Sequence, residues 1–491
     1  MANWRVVMQR CTDSRRICRG LPRKGNIIYQ RLKIMSSEKI GFLQSALSNF
    51  ITTPVPPKLP LVNGEVSAWF SEHDIVFGLG MHPDGRAFGF NAAGAAAIRG
   101  LADALVAERP AFRTGIRVSA LMVTLAKTLY KFVARENSTI TSDELDQIED
   151  AIGNWFEAET VARKFLIPCT ILPEHATQFS IGPIDFFSVR DLAVREDIPP
   201  EQLTDHLKYG PLIQTMQQRA AIWIAEVEVS GFDEPIGTER ANLAVDVALV
   251  AIQMVLPVSY SREIARITGR TMPPNIGTFF TTKHNIHTGS ERREPGLGIS
   301  GEVFDQQLVA HRALVESVGR RVDAYVRGAL VLPKLEQAWC DGAFWLHEGL
   351  AEPLSTVAVA KLETAIEVML SAESSKGSAA RFRAAFESLY GLKNTDPIRP
   401  GNPQTVKQFI ESIVGARSRV LHGTASTLSS DTSSNEQGGR PVFEMLALDL
   451  MRRFTLVLDE YVKDSAAVDD TESFLSWIND QRLKAPSTTK Q

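Results

Sequence analysis

An arginine and a histidine near the C-terminal end of the chain have the types and spacing that could support chemistry. The segment "PQTVKQFIESIVGARSRVLHGTAS", residues 403–426, places Arg417 five positions before His422, and Gly423 follows the histidine directly. An arginine can hold a phosphate through two parallel hydrogen bonds, and a histidine titrates near neutral pH and can transfer a proton. Together they could act on a phosphodiester without a metal ion.

The element that must position these residues is a predicted amphipathic helix. The helical period brings its apolar residues onto one stripe, namely Val406, Phe409, Ile410, Ile413, Val420 and Leu421. Arg417 falls within that stripe, and a buried guanidinium needs a carboxylate, a wet cleft or an anionic ligand. Gly423 is a natural helix end, so His422 would lie at the negative end of the helix dipole.

One copy of this helix makes a poor catalytic pair. Five residues of a regular helix turn through about 140° net, so Arg417 and His422 point in different directions. Two copies that meet across a two-fold axis could instead line one positively charged cleft. The spacing therefore predicts a homodimer that pairs through this part of the chain.

The stretch "RSRVLHG" resembles the Arg-x4-His motif of HEPN domains, which are helical bundles named for higher eukaryotes and prokaryotes nucleotide-binding. It is most similar to the ApeA-like branch, where an Arg-Ser pair leads to a His-Gly at the end of a late helix. That pattern also has an upstream helix reading Thr-Ala-aliphatic-Glu, and this chain has "TAIE" at 364–367. The resemblance covers roughly residues 305–465.

The resemblance implies a metal-independent endoribonuclease that needs no cofactor. Arg417 and His422 match the catalytic pair, with Ser418 and Glu367 as supporting residues, although Glu363 could equally be the carboxylate that faces Arg417. The substrate would be single-stranded RNA or a tRNA loop, cleaved by its own 2′-hydroxyl to a 2′,3′-cyclic phosphate. ApeA-like proteins are associated with prokaryotic antiphage defence and abortive infection. By that analogy the N-terminal region would respond to a phage-derived or small-molecule trigger.

Two other interpretations of the same residues remain open. Arg417 could be a salt-bridged core residue and His422 an ordinary histidine at a helix end. The bundle could also be a non-catalytic HEPN-like dimerisation or RNA-binding module attached to an N-terminal ligand-sensing domain. Solvent access to His422 in a cleft would favour the nuclease, and burial against apolar neighbours would favour the structural alternative.

Composition describes an ordinary globular chain. It has 491 residues, 44% hydrophobic and 22% charged, with a formal net charge of -4, which excludes a basic coat over the whole chain. Four cysteines lack the spacing of metal ligands, so a reducing cytoplasm is expected. An uninterrupted apolar run of about 18 residues, as a membrane span requires, is absent, so no membrane partner is expected.

The pattern along the chain predicts an α+β N-terminal domain followed by an all-α HEPN-like helical bundle. The predicted segments are a basic leader at 1–34, the α+β domain at 35–290, a linker at 291–303, the bundle at 304–466 and a C-terminal tail at 467–491. The leader has nine basic residues and one acid, Asp13. It could be translated upstream sequence before a start at Met35, a basic arm or a targeting segment.

Three further motifs are predicted to be structural. "FGLGMHPDG" lacks the third glycine of a dinucleotide site and is typical of a hairpin turn. His284 and His287 in "KHNIHTG" point to opposite faces of a strand, so they could not share a metal ion. In "WCDGAFWLHE" the tryptophans and His347 are predicted to be core residues of a helix, with the histidine satisfied by a partner.

Overall fold

The computed structural model describes ten segments, which are residues 37–54, 72–81, 86–133, 139–267, 275–283, 285–292, 298–371, 375–398, 403–421 and 440–484. The predicted basic leader at 1–34 lies outside them. The chain divides into two compact units. The N-terminal unit comprises Met1–Val161 with Gly231–Ile236, and the C-terminal unit comprises Ala162–Ser230 with Gly237–Gln491.

In the described residues, the N-terminal unit combines a small sheet with the five helices given below. Strands β1 (Phe50–Pro54), β2 (Phe77–Met81) and β3 (Arg86–Phe90) form an antiparallel sheet in the order β1-β3-β2. The helices are α1 over 37–48, α2 (Ala92–Glu108), α3 (Pro110–Gly115), α4 (Val118–Val133) and α5 (Ser142–Glu159). Their apolar faces meet in one core that includes Leu43, Phe90 and Leu125.

The structure confirms one local prediction in this unit and shows how one of its helices begins. The "FGLGMHPDG" segment forms a hairpin, since β2 pairs antiparallel with β3, although the turn at 82–85 lies outside the described residues. Thr141 caps α5 with a capping box. Its hydroxyl accepts from the Glu144 amide at 3.3 Å, while the Glu144 carboxylate accepts from the Thr141 amide at 2.9 Å.

The C-terminal unit contains a five-stranded antiparallel sheet in the order β5-β6-β7-β4-β8. Its strands are β4 (Arg163–Thr170), β5 (Phe179–Ile181), β6 (Ile184–Ser188), β7 (Trp223–Val229) and β8 (Ala265–Arg266). The helices among these strands are α6 (Val189–Arg195), α7 (Gly210–Gln218), α8 (Glu234–Val255) and α9 (Val258–Ser261). A separate hairpin joins β9 (Asn275–Thr281) to β10 (Ile286–Arg292).

The rest of this unit is helical, as the sequence predicts. The helices are α10 (Gly301–Ala310), α11 (Arg312–Arg327), α12 (Pro333–Ala351), α13 (Ser355–Met369), α14 (Ser375–Ala385), α15 (Val406–Leu421), α16 (Arg440–Val462) and α17 (Thr471–Lys484). A π-helical turn, Phe386–Tyr390, extends α14. Helix α13 is central, because α12, α14, α15 and α16 all pack against it.

Two glycines let α12 approach α13 closely. Gly342 and Gly349 lie seven residues apart and therefore on one face of α12. A Cβ atom at Gly342 would lie 2.9 Å from the Ala365 carbonyl oxygen, and one at Gly349 would lie 2.9 Å from the Leu362 side chain. Larger residues would push the two helices apart, so the contact depends on the absence of side chains at both positions.

The unit boundary differs from the one predicted from the sequence. The polar segment 291–303 was expected to separate an α+β domain from a helical bundle, but the five-stranded sheet shares a compact unit with the C-terminal helices. The turn between β5 and β6 touches α11 at Gly182 and Gly319. A Cβ atom on Gly182 would lie 2.2 Å from the Gly319 carbonyl oxygen, so the backbones are in direct contact.

The expected C-terminal tail at 467–491 also differs from the structure. Helix α17 occupies Thr471–Lys484 and buries Phe474, Leu475 and Ile478. The Phe474 ring packs edge-on against Phe454 of α16, with the ring centroids 4.8 Å apart. Polar residues such as Asn479 and Asp480 are typical of a solvent-exposed tail. They instead belong to a short helix that buries three apolar residues.

The glycine contact predicts an effect on stability. A Gly342→Val change should destabilise the C-terminal unit by about 1–3 kcal/mol, because the added methyl groups have no space against Ala365 and Met369. Urea unfolding monitored by circular dichroism measures the shift. The control is Gly415→Ala in α15, where a Cβ atom meets nothing within 4 Å. That change should stabilise the helix by about 0.5–1 kcal/mol. Equal effects at the two positions would contradict the packing account.

Candidate functional site

Two carboxylates are buried on the central helix α13. Glu363 is 0% exposed and Glu367 is 6% exposed, and the four-residue spacing puts both on one face of the helix. A buried carboxylate is costly unless hydrogen-bond donors or a cation balance its charge. Both residues take part in polar or electrostatic interactions. We call Glu363 and Glu367 the carboxylate pair.

One donor to the carboxylate pair comes from α14. The hydroxyl of Ser378 donates a hydrogen bond to Oε1 of Glu367, and Ser378 is itself only 1% exposed. This contact fixes the start of α14 beside the end of α13. A serine hydroxyl is a neutral donor, so it satisfies one acceptor position of Glu367 without balancing its negative charge.

Helix α15, which carries Arg417 and Ser418, packs against both α13 and α14. The described helix ends at Leu421. The backbone of Arg417 and Ser418 is therefore helical as predicted, whereas their side chains, like the whole of His422, lie outside the described residues. The predicted amphipathic helix is otherwise confirmed over Val406–Leu421, with Val406, Ile410 and Ile413 buried on its apolar stripe.

The packing of α14 against α15 determines which residue of α14 lies opposite position 417. The rings of Phe386 and Phe409 lie 6.2 Å apart, and Nη2 of Arg383 lies 3.6 Å from Oε1 of Glu411. The two helices are therefore antiparallel. Six residues beyond Glu411 along α15 correspond to about six residues before Arg383 along α14. Position 417 is thus level with Ser378, the residue that donates to Glu367.

Glu444 forms a second buried acidic site at the start of α16. It is 0% exposed and accepts two hydrogen bonds from Arg262, at 3.0 and 2.7 Å, and a third from Arg440 at 2.6 Å. Arg440 also donates to the carbonyl oxygens of Leu350 and Glu352, which satisfies the end of α12. Through these hydrogen bonds the cluster connects α12, α16 and the segment before β8.

His347 belongs to a third buried network and is satisfied, as the sequence predicts. Its Nδ1 lies 3.2 Å from Oε1 of Gln253, and its Nε2 lies 3.6 Å from Oδ1 of Asp246. Arg266 holds the same Asp246 carboxylate through two hydrogen bonds of 2.7 and 2.8 Å. Burial lowers the pKa of His347, which favours its neutral form. The side chain is 4% exposed and therefore closed to a substrate.

The sulfur and remaining histidine candidates do not form a site in the described part of the chain. Burial raises the pKa of Cys340 to about 12 and that of Cys169 still further, so both thiols stay protonated. His287 lies on β10 and stacks on Phe280, with the rings 4.8 Å apart. His284 falls outside the described residues. No metal-binding group of three or more His, Cys, Asp or Glu residues occurs among the described ones.

Comparison with known proteins adds no family assignment, since no family model, curated protein or solved structure matches the chain. Among the described helices, none is both long and apolar enough to cross a membrane.

Sequence reasoning missed Ser378 and the Glu444 cluster. Ser378 gives no signal, because serine is common in helices and its role depends on the packing of α13 against α14. Arg440 and Glu444 have the spacing of a helical ion pair, which could have been recognised. Arg262 lies 182 positions away from Glu444, so no local pattern could have identified it.

The Glu444 cluster predicts a large and specific loss of stability. Glu444→Gln should lower the free energy of unfolding by about 3 kcal/mol, because it leaves the guanidinium groups of Arg262 and Arg440 without their counter-charge. The matched control on the same helix is Glu460→Gln. Glu460 and Lys463 form an exposed pair at 2.8 Å, so its loss should cost less than about 1 kcal/mol. Equal urea midpoints for the two variants would show that the buried cluster does not stabilise the fold.

Proposed function

We propose that the chain is a metal-independent endoribonuclease of the HEPN type, with Arg417 and His422 as its catalytic pair. The observation that supports this proposal is the carboxylate pair on α13. Its two acidic side chains are buried on the helix that packs against α15, and position 417 is level with Ser378 beside Glu367. In the resembling family an acidic residue on an upstream helix faces the motif arginine, and this arrangement fits that expectation.

The carboxylate would act as a positioning group in this proposal. A guanidinium paired with Glu367 or Glu363 on one edge keeps its other edge available for a phosphate. The arginine side chain is long, and side chains on a helix lean toward its N-terminus. The proposal therefore pairs the arginine at position 417 with one member of the carboxylate pair. Ser418 is a further polar group next to the arginine and has a supporting role.

The chemistry follows from the properties of RNA. The 2′-hydroxyl attacks the adjacent phosphorus and the bond to the 5′-oxygen breaks, which gives a 2′,3′-cyclic phosphate and a free 5′-hydroxyl. His422 would take the proton from the 2′-hydroxyl or give one to the leaving oxygen. Arg417 would bind the phosphate and stabilise the negative charge that develops in the transition state. The substrate is single-stranded RNA or a tRNA loop, because such strands can bend for in-line attack.

The site is proposed to be completed by a second copy of the chain. His422 follows Leu421, the last described residue of α15, and in a regular helix residues five positions apart point in different directions. Two protomers that pair through the helical region would bring two sets of residues to one cleft. We further propose a cytoplasmic role in antiphage defence, with the N-terminal unit sensing the trigger that releases the activity.

The nuclease proposal is tested by cleavage of single-stranded RNA in the presence of EDTA. Wild-type protein should cleave with chelator present and leave cyclic phosphate ends. Arg417→Ala and His422→Ala should each reduce the rate at least about 100-fold, since each removes one catalytic group. Mass spectrometry of the fragments identifies the ends.

Arg419→Ala is the matched control, because position 419 is two residues from Arg417 on a different side of α15. It should keep most of the activity. Cleavage by a folded His422→Ala protein at the wild-type rate would overturn the proposal. Loss of cleavage in EDTA that returns with added Mg²⁺ would overturn the metal-independent mechanism.

A further inference from the structure

A cavity of about 450 Å³ lies within the C-terminal unit, beside the end of α8. Its lining is mostly apolar and includes Val255, Leu256, Pro257, Ile299 and Val303. Leu256 is 1% exposed and Ile299 is 8% exposed, so they form a packed wall, whereas Val303 is 44% exposed at the mouth. Volumes of this size hold small organic ligands, and a mostly apolar lining with a few polar groups is typical of such sites.

One side of this cavity carries a guanidinium that forms no ion pair with a carboxylate of the described residues. Arg452 of α16 lines the cavity and donates from Nε to the carbonyl oxygen of Met254, at the end of α8. Among the described residues no carboxylate lies within ion-pair distance of it. Asp449, one turn earlier on α16, accepts instead from Tyr390 at 2.7 Å and from Arg453 at 3.0 Å.

The electrostatic setting of Arg452 favours an anion. The side chain is half-buried, and the loss of solvation on burial lowers its pKa, while the Asp449 carboxylate one turn away opposes this shift in part. The negative end of the α8 dipole offsets part of that loss through the bond to Met254. The two terminal nitrogens of the guanidinium remain, and their planar geometry matches the two oxygens of a carboxylate.

Two further polar groups line the same cavity. The Tyr260 hydroxyl has no hydrogen-bond partner among the described residues. His311 is held by a contact of 3.0 Å between its Nδ1 and the carbonyl oxygen of Gln307, which leaves its Nε2 available. These groups can donate to or accept from a polar substituent, while the rest of the lining accepts hydrocarbon.

We propose that this cavity is a binding site for a small organic acid, whose carboxylate pairs with Arg452 and whose aromatic or aliphatic body packs on Leu256, Ile299 and Val303. The site is independent of the proposed nuclease, since neither Arg417 nor His422 takes part in it. The C-terminal unit is therefore proposed to bind this ligand whether or not the chain cleaves RNA.

The test uses 2-naphthoate as the probe and 2-naphthamide as its neutral counterpart, titrated into the full-length protein with fluorescence detection. Wild type should bind naphthoate at least about tenfold more tightly than the amide, because only the acid forms a charge-assisted pair with Arg452. Arg452→Gln should weaken naphthoate binding about tenfold or more and leave amide binding unchanged. Val303→Trp, at the exposed mouth, should block both probes.

Arg453→Gln is the matched control, because Arg453 is the neighbouring arginine on α16 and is paired with Asp449 outside the cavity. It should bind both probes like wild type. The site is overturned if wild type does not distinguish acid from amide, or if Arg453→Gln weakens naphthoate binding as much as Arg452→Gln does. Unchanged binding by Val303→Trp would place the probe elsewhere and would also overturn it. Circular dichroism establishes that each variant is folded.

Discussion

Burial of negative charge on the central helix α13 is the constraint on which the arrangement of the C-terminal helices depends. Glu363 and Glu367 are removed from solvent on a helix that four others surround. An unbalanced carboxylate in such a place would cost several kcal/mol. The neighbouring helices must therefore place hydrogen-bond donors or a cation beside these carboxylates, and the Ser378 hydroxyl of α14 is one such donor. In our proposal Arg417 supplies the positive charge that Ser378, a neutral donor, does not.

Buried charges also explain why the sheet and the helices share one unit. Arg266 of β8 pairs with Asp246 of α8, and Arg262 pairs with Glu444 of α16. The Arg262–Glu444 pair joins residues 182 positions apart, and separation of either pair would leave a charge without its partner. Apolar contacts only require that hydrophobic faces meet, whereas such ion pairs require particular elements to lie next to each other. The polar segment 291–303 lies between Arg262 and Glu444 in the sequence, yet these two residues are paired within one unit.

Much of the fold could be predicted because it is local. The 3.6-residue period predicts the amphipathic helix α15, and the helical character of the C-terminal region is confirmed. The apolar period does not reveal the break between α10 and α11, which lies at His311. Helix α17 was missed because its buried face comprises only three apolar residues among polar ones.

The candidate site could be predicted only in part. The sequence indicates that an acidic helix precedes the helix of Arg417, and the packing of α13 against α15 agrees with that order. Ser378 lies opposite position 417 because α14 and α15 pack antiparallel, in a register that two side-chain contacts define. No spacing in the sequence reveals this register. His347 was predicted to be a satisfied core residue because a histidine in an apolar helix face needs a partner. Its actual partners, Asp246 and Gln253, lie about a hundred residues away.

The balance of charge between α13 and α15 is measured most directly by a double-mutant cycle. The free energy of unfolding in urea is compared for wild type, Glu367→Gln, Arg417→Gln and the double variant, with a second cycle on Glu363. Our account predicts a coupling of at least about 1.5 kcal/mol in one of the two cycles, since each single change leaves a buried charge unbalanced. Strictly additive effects in both cycles would contradict it, because the carboxylates would then be satisfied without the arginine.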